Sequence, residues 1–153
     1  MSDTPLAGRV AVVSGGGRGL GRSFCQALAG RARRSWSTTA TGSRTRTGAG
    51  RPTTWRRRSP RRGGEAVAEH SDAADPGGGE AIVAAALKRW RRLDICVANA
   101  AIGTGRMFHK QAAAQFGEVL EINLYGSVRL ARAATACRPR PARGWTLTWW
   151  RRC

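Results

Sequence analysis

Five glycines, Gly15, Gly16, Gly17, Gly19 and Gly21, crowd into seven positions directly behind Ser14. Such a cluster does its chemistry through backbone N–H groups rather than side chains. Upstream, Val10, Ala11, Val12 and Val13 form a largely β-branched run without polar alternation, as expected of a parallel strand covered on both faces. Downstream, Leu20, Phe24, Ala27 and Leu28 recur at helical spacing. The last glycines therefore fall at a helix N-terminus, where free N–H groups and the helix dipole favour an anion such as a phosphate. A second candidate group is Asn123. It shares one helical face with Phe116, Leu120, Ser127 and Leu130, and a polar side chain on such a face needs a hydrogen-bonding partner.

The remaining pattern supplies elements to hold these groups. The first helix is expected to end near Gly30. Gly63 to Asp72 reads as a third strand and the turn after it, and Asp75-Pro76-Gly77 starts a helix through Ala81, Ile82, Ala85, Ala86 and Leu87 to Trp90. Leu93 to Ile102 reads as a fourth strand and its exit, followed by the long Asn123 helix packed on the sheet. Strands alternating with helices imply an α/β fold, a Rossmann-like doubly wound parallel sheet. The sheet is expected to be incomplete, because the region after Gly30 shows neither a strand pattern nor an acid where a second strand and a ribose-holding carboxylate belong.

The common dinucleotide fingerprint G-x-G-x-x-G fails at Leu20, Arg22 or Phe24, according to which glycine starts it. Ser14-Gly15-Gly16-Gly17-Arg18-Gly19-Leu20-Gly21 instead resembles the T-G-x-x-x-G-x-G turn of the short-chain dehydrogenase/reductase family, with serine in the threonine place. That resemblance implies an NAD(P) cofactor held by Ser14, Gly15, Arg18, Gly19, Leu20 and Gly21. Gly15 permits the turn, Gly19 lets backbone approach the cofactor, and Gly21 allows close packing of helix on strand. By the same resemblance, Asp72 meets the adenine. Leu93-Asp94-Ile95-Cys96-Val97-Ala98-Asn99-Ala100-Ala101 is similar to the family's L-D-x-x-V-N-N-A-G, with alanines at 98 and 101 replacing its first asparagine and its glycine. Asn99, Ala100 and Ala101 are thereby placed beside the nicotinamide ribose. Asn99 either replaces the sheet bracing of the missing asparagine or caps a turn. Asn123, with Gly126 completing N-x-x-G, corresponds to the family's catalytic asparagine, which orders a water in the proton relay.

Charge is distributed as unevenly as pattern. Of the net +18, residues 31–62 hold eleven arginines and residues 138–153 five, with no acid in either segment. The remainder carries eleven basic and nine acidic side chains, an ordinary balance for an enzyme. Arg34 to Thr39 can be written in codons that, read from the third base, spell Val-Val-Val-Asn-Asp, the missing strand and acid. Residues 31–62 are thus expected to be a wrong-frame translation without order of their own, the rival being a genuine Arg/Trp-rich disordered insert. The domain is set at residues 1–136, with 137–153 an anomalous tail. The hidden aspartate leans towards NAD over NADP, since a carboxylate repels a 2′-phosphate.

In the family the reaction also needs a serine on the fifth strand and Y-x-x-x-K, whose tyrosine exchanges a proton with the substrate oxygen. Here the one tyrosine, Tyr125, precedes Arg129 rather than a lysine, and no lysine follows Lys110. The leading expectation is an oxidoreductase by descent, truncated to its N-terminal half with the C-terminal half of the fold disrupted or missing, that would move a hydride between nicotinamide and an alcohol or ketone and is inactive as these residues stand. The alternatives are a nucleotide-binding fragment without catalysis and a basic protein gripping nucleic acid through its Arg/Trp segments. The four cysteines lack metal-ligand or disulfide-framework spacing, and no apolar run is long enough to span a bilayer. A cytoplasmic location follows as the default, with a homo-oligomer implied only for an intact family member.

Overall fold

The computed structural model describes residue 6 and residues 8–31 and 67–137. The expected wrong-frame segment, the missing second strand and the Arg/Trp-rich tail lie outside the described residues, apart from Arg31 and Cys137 at their borders.

The described chain is an α/β unit built on two parallel strands. Strand β1 (Ala11–Val13) pairs with β2 (Ile95–Val97) in the register Ala11 to Ile95, Val12 to Cys96 and Val13 to Val97. Direct pairing of strands more than eighty residues apart is what a crossover fold requires, because parallel neighbours cannot be joined by a tight turn. One carboxylate fastens the entry of this ladder. Asp94 accepts from the Val10 N–H (2.8 Å), from Arg9 (3.1 Å) and through both oxygens from Arg92 (2.8 and 2.6 Å).

Helix α1 (Gly19–Arg31) follows β1 through the glycine turn and ends within a residue of the expected Gly30. Helix α2 (Gly78–Trp90) begins just past Asp75-Pro76-Gly77, as expected. Gly77 sits at its N-cap with φ +82°. Glu80 lies in the first turn, and Lys88 and Arg89 in the last, where each charge opposes the helix dipole. The chain leaves α2 through Arg91 in the left-handed region, whose N–H closes on the Leu87 carbonyl at 2.8 Å.

The core lies where α2 meets β1 and the last helix. Val10, Val12, Ile82, Val83, Ala86, Leu93, Leu130 and Ala134 are all at most 3 % exposed. Val10 to Val13 are buried on both faces, which explains the absence of polar alternation there.

Two expectations require correction. Residues 67–72, the described part of the expected third strand, are irregular rather than extended in a ladder. A strand is defined by its neighbours, and the described sheet contains β1 and β2 alone. The long Asn123 helix is also not uniform. It runs as α3 (Ala113–Leu120), then a wider π-helical segment (Glu121–Gly126), then α4 (Ser127–Ala136). Its second half packs on α2 and buries Leu130, Ala133 and Ala134, whereas Phe116 and Leu120 stay exposed. The shared face inferred from spacing is thus covered over only part of its length.

Candidate functional site

The end of β1 and the end of β2 are joined by Ser14. Its N–H extends the ladder to the Val97 carbonyl (3.0 Å), and its Oγ accepts from the Asn99 N–H (2.9 Å) and the Ala100 N–H (3.0 Å). At 2 % exposure, Ser14 is the most deeply buried polar residue described. A hydroxyl suits the position because its two lone pairs satisfy two adjacent backbone donors that would otherwise be orphaned. Asn99 answers from the opposite side, its Nδ2 donating to the Ser14 carbonyl (3.0 Å) and, at longer range, to the Gly15 carbonyl (3.5 Å). Of the two roles open to Asn99, the geometry is that of a brace between the strand ends.

The glycine turn sits on this brace. Gly15 has φ +67° and Gly19 φ +54°, conformations that side chains with a Cβ rarely adopt. Gly15 also lies hard against the β2 exit, where a Cβ would stand 2.9 Å from the Ala100 Cα. A Cβ at Gly21 would fall onto the Gly15 carbonyl oxygen and within 2.5 Å of Asn99 Nδ2. The close approach that requires Gly21 is therefore to the turn itself and to Asn99. Gly19 differs, since nothing lies within 4 Å of where its Cβ would be. Arg18, Gly19 and Leu20 are exposed around this open N-terminus of α1, and no acid occupies the helix's first turn.

Asn123 is placed in the π-helical segment, with both ends of its side chain engaged by one residue. Its Oδ1 accepts from the Ile102 N–H (2.8 Å) and its Nδ2 donates to the Ile102 carbonyl (3.0 Å). This paired contact pins the loop leaving β2, so Asn99, Ala100 and Asn123 belong to one connected region through Ala101 and Ile102. The Asn123 main-chain carbonyl accepts from the Ser127 hydroxyl at 2.8 Å. π-Helical turns often mark functional sites, and here the wide turn carries the asparagine.

Asp72 lies at a different edge. Its Oδ1 accepts from the Ala74 N–H (2.9 Å) and its carbonyl from the Asp75 N–H (3.2 Å), so it shapes the turn before α2. Gly78 permits this approach, since a Cβ there would strike the Asp72 carbonyl. Ala101 is exposed past the clamp. Tyr125 is half exposed, with the Arg129 guanidinium 5.8 Å from its ring centroid.

Two residues of evident structural weight carried no role in the sequence reading. Asp94 belongs to the matched strand motif, and Arg9 and Arg92 flank the two strands in opposite charge to it, a signal available in the sequence. Arg129 stood out only as the position where a lysine is lacking. Among the described residues, no group of three His, Cys, Asp or Glu side chains could hold a metal ion, and no helix is long and apolar enough to cross a membrane. Burial pushes the Cys96 thiol up to about 11, which keeps it protonated as a packing group.

A family model described as short chain dehydrogenase matches residues 9–144. A short-chain type dehydrogenase/reductase of Mycobacterium tuberculosis is 35 % identical over 128 residues, which cover 82 % of this chain and 45 % of that protein. The peroxisomal hydratase-dehydrogenase-epimerase of Neurospora crassa is 32 % identical over 127 residues, 83 % of this chain and 13 % of that protein. Among solved structures, a short chain dehydrogenase from Mycobacterium avium superposes with a TM-score of 0.70 at 28 % identity, covering 86 % of this chain and 46 % of the other. A metagenomic short-chain oxidoreductase in complex with NADP gives a TM-score of 0.68 at 27 % identity, covering 86 % and 57 %. The chain thus spans less than half the length of these curated relatives.

Proposed function

The chain belongs to the short-chain dehydrogenase family, and from that premise we propose that its described residues form the dinucleotide-holding part of an NAD(P)-dependent oxidoreductase acting between an alcohol and a ketone. The observation that carries this reading is the glycine turn on its Ser14 clamp. Gly15 and Gly19 have left-handed φ, the clamp is hydrogen-bonded and buried at Ser14, and the space beside Gly19 at the α1 N-terminus is open. Those features suit a diphosphate, because the helix N-terminus supplies unpaired N–H donors and positive potential without an opposing carboxylate.

In this reading Gly15, Arg18, Gly19 and Leu20 hold the phosphates while Ser14 and Gly21 serve the cofactor by keeping the turn in shape, Asp72 meets the adenine, and Asn99, Ala100 and Ala101 lie along the nicotinamide ribose. The dinucleotide, when bound, supplies the hydride chemistry. This chain's residues supply position: Ser14 and Asn99 keep the turn from opening, and Asn123 holds Ile102 and with it the loop beside the reacting centre. Asn123 is the group we assign to the proton relay. The lean towards NAD over NADP rests on an aspartate that exists only in the shifted codon reading of Arg34 to Thr39, a stretch outside the described residues. The nucleic-acid alternative rests on the two arginine-rich segments, also outside them.

These 153 residues contain no Tyr-x-x-x-Lys, Tyr125 being followed by Arg129, so on their own they are expected to bind the dinucleotide without turning over an alcohol. Fluorescence titration of the purified chain with NADH tests this. Saturable enhancement that is insensitive to salt, with no absorbance change at 340 nm on adding NAD and an alcohol panel, is the expected result. Absence of binding at millimolar NADH in a folded sample overturns it.

A further inference from the structure

The turn that carries Asp72 is held from outside by one side chain. Arg129, on α4, donates from Nη1 to the Ala74 carbonyl (2.7 Å), across 55 positions of sequence. The same guanidinium pairs through Nη2 with Glu121 (2.6 Å) and lies over the Tyr125 ring at 5.8 Å. The π-helical segment helps create this pairing. Positions eight apart on a regular α-helix stand about 80° out of line, and a turn closed by i→i+5 bonds accommodates extra residues and rotates those beyond it back. The backbone of Arg129 is also pressed onto α2, where a Cβ at Gly79 would stand 2.7 Å from the Arg129 carbonyl oxygen. A planar guanidinium fixed by a carboxylate on one side and a ring on another has little freedom left to lose, so its third contact is directional. That contact goes to the turn in which Asp72 Oδ1 holds the Ala74 N–H (2.9 Å). Arg129 and Asp72 thus grip the carbonyl and the N–H of the same residue.

We propose that Arg129 is a positioning residue for the adenosine half of the dinucleotide, acting through Ala74 to set the orientation of Asp72. The inference rests on the functional reading above, in which Asp72 meets the adenine. The contacts of Arg129 go to Ala74, Glu121 and Tyr125, outside the residues assigned to the phosphates and the nicotinamide ribose, so its influence is expected at the Asp72 end of the ligand.

Binding of 5′-AMP, nicotinamide mononucleotide and NADH to the full chain and its variants separates the possibilities, since the two mononucleotides each carry one phosphate and differ in the base. Arg129→Met is expected to weaken 5′-AMP and NADH by about tenfold, the loss of one charge-assisted hydrogen bond, and to leave nicotinamide mononucleotide unchanged. Arg129→Lys, which retains a charged donor but not the planar fork that reaches Ala74 and Glu121 together, is expected to restore part of the 5′-AMP affinity. Should Arg129→Met fail to fold, Glu121→Gln releases the guanidinium from its carboxylate at a half-exposed site, and a two- to threefold loss confined to 5′-AMP and NADH is expected. Equal losses for both mononucleotides, or undiminished 5′-AMP binding in a folded Arg129→Met or Glu121→Gln chain, overturn the proposal. A wild-type chain that binds none of the three ligands overturns the functional reading itself and removes this inference with it.

Discussion

The turn after β1 and the stretch from Phe116 to Val128 both stand out in the sequence, one by its crowded glycines and the other by large residues at helical spacing, yet they end in opposite surroundings. Ser14 is 2 % exposed and shares its oxygen between two backbone donors. Phe116 and Tyr125 remain 45 % and 51 % exposed, with Leu120, Leu124 and Val128 also at the surface. The first region is tied to a strand more than eighty positions away, while the second belongs to one helix whose inner end alone meets α2. Periodicity determines which residues share a face, and a face becomes core only where another element covers it.

This contrast can be broken most sharply at Leu130, which lies on the same helix but inside the core. Leu130→Ala is expected to lower stability by about 3 kcal/mol through lost burial and the cavity left behind, read from the urea midpoint. The glycine turn comes next. Gly21→Ala places a methyl group onto the Gly15 carbonyl and is expected to cost about 2.5 kcal/mol, with NADH binding weakened more than at any core position. Ser14→Ala leaves the Asn99 and Ala100 N–H groups without their acceptor, for about 1.5 kcal/mol; Ser14→Thr, which keeps the hydroxyl, is expected to retain NADH binding.

The strand entry offers a pH-dependent form of the same test. Burial alone would raise the Asp94 carboxyl, but hydrogen bonds from Arg92, the Val10 N–H and Arg9, with the Arg92 charge, outweigh it and hold the group below the usual carboxylate range. A depressed native value means that the stabilisation is fully present above the unfolded carboxylate pKa of about 4 and is lost as pH falls through the native value. The stability difference between wild type and Asp94→Asn should therefore be constant near neutrality and shrink in acid, as followed by urea midpoints across pH. The smallest effect is expected at Phe116→Ser, within about 0.5 kcal/mol of wild type. A large loss there would mean that this face is covered in solution.

Much of the candidate site was legible before any coordinates. The glycine spacing located the turn, the β-branched run Val10 to Val13 located a buried strand, and the Leu93 to Ala101 pattern located its partner, because each signal is local and carried by residue type. The helix from Gly78 to Trp90 was legible for the same reason. What could not be read locally was decided by neighbours. Asn99 was open between two roles until Ser14 was brought beside it across 85 positions. Asn123 needed a partner, and nothing in its own segment named the Ile102 backbone. The irregular path of residues 67–72 and the π-helical widening at Asn123 likewise depend on ladder partners and packing that no window of sequence contains.

By itself, then, the sequence determined the βα glycine turn, the family resemblance and the parallel character of the sheet, since steric preference and apolar patterning act within a few residues. The tertiary structure alone decided that Gly21 is required by the Gly15 carbonyl and Asn99, that Asp94 fastens the strand entry, and that Arg129 reaches the Asp72 turn. Each of these is a contact between distant segments, whose existence depends on the fold bringing donor and acceptor within hydrogen-bonding distance.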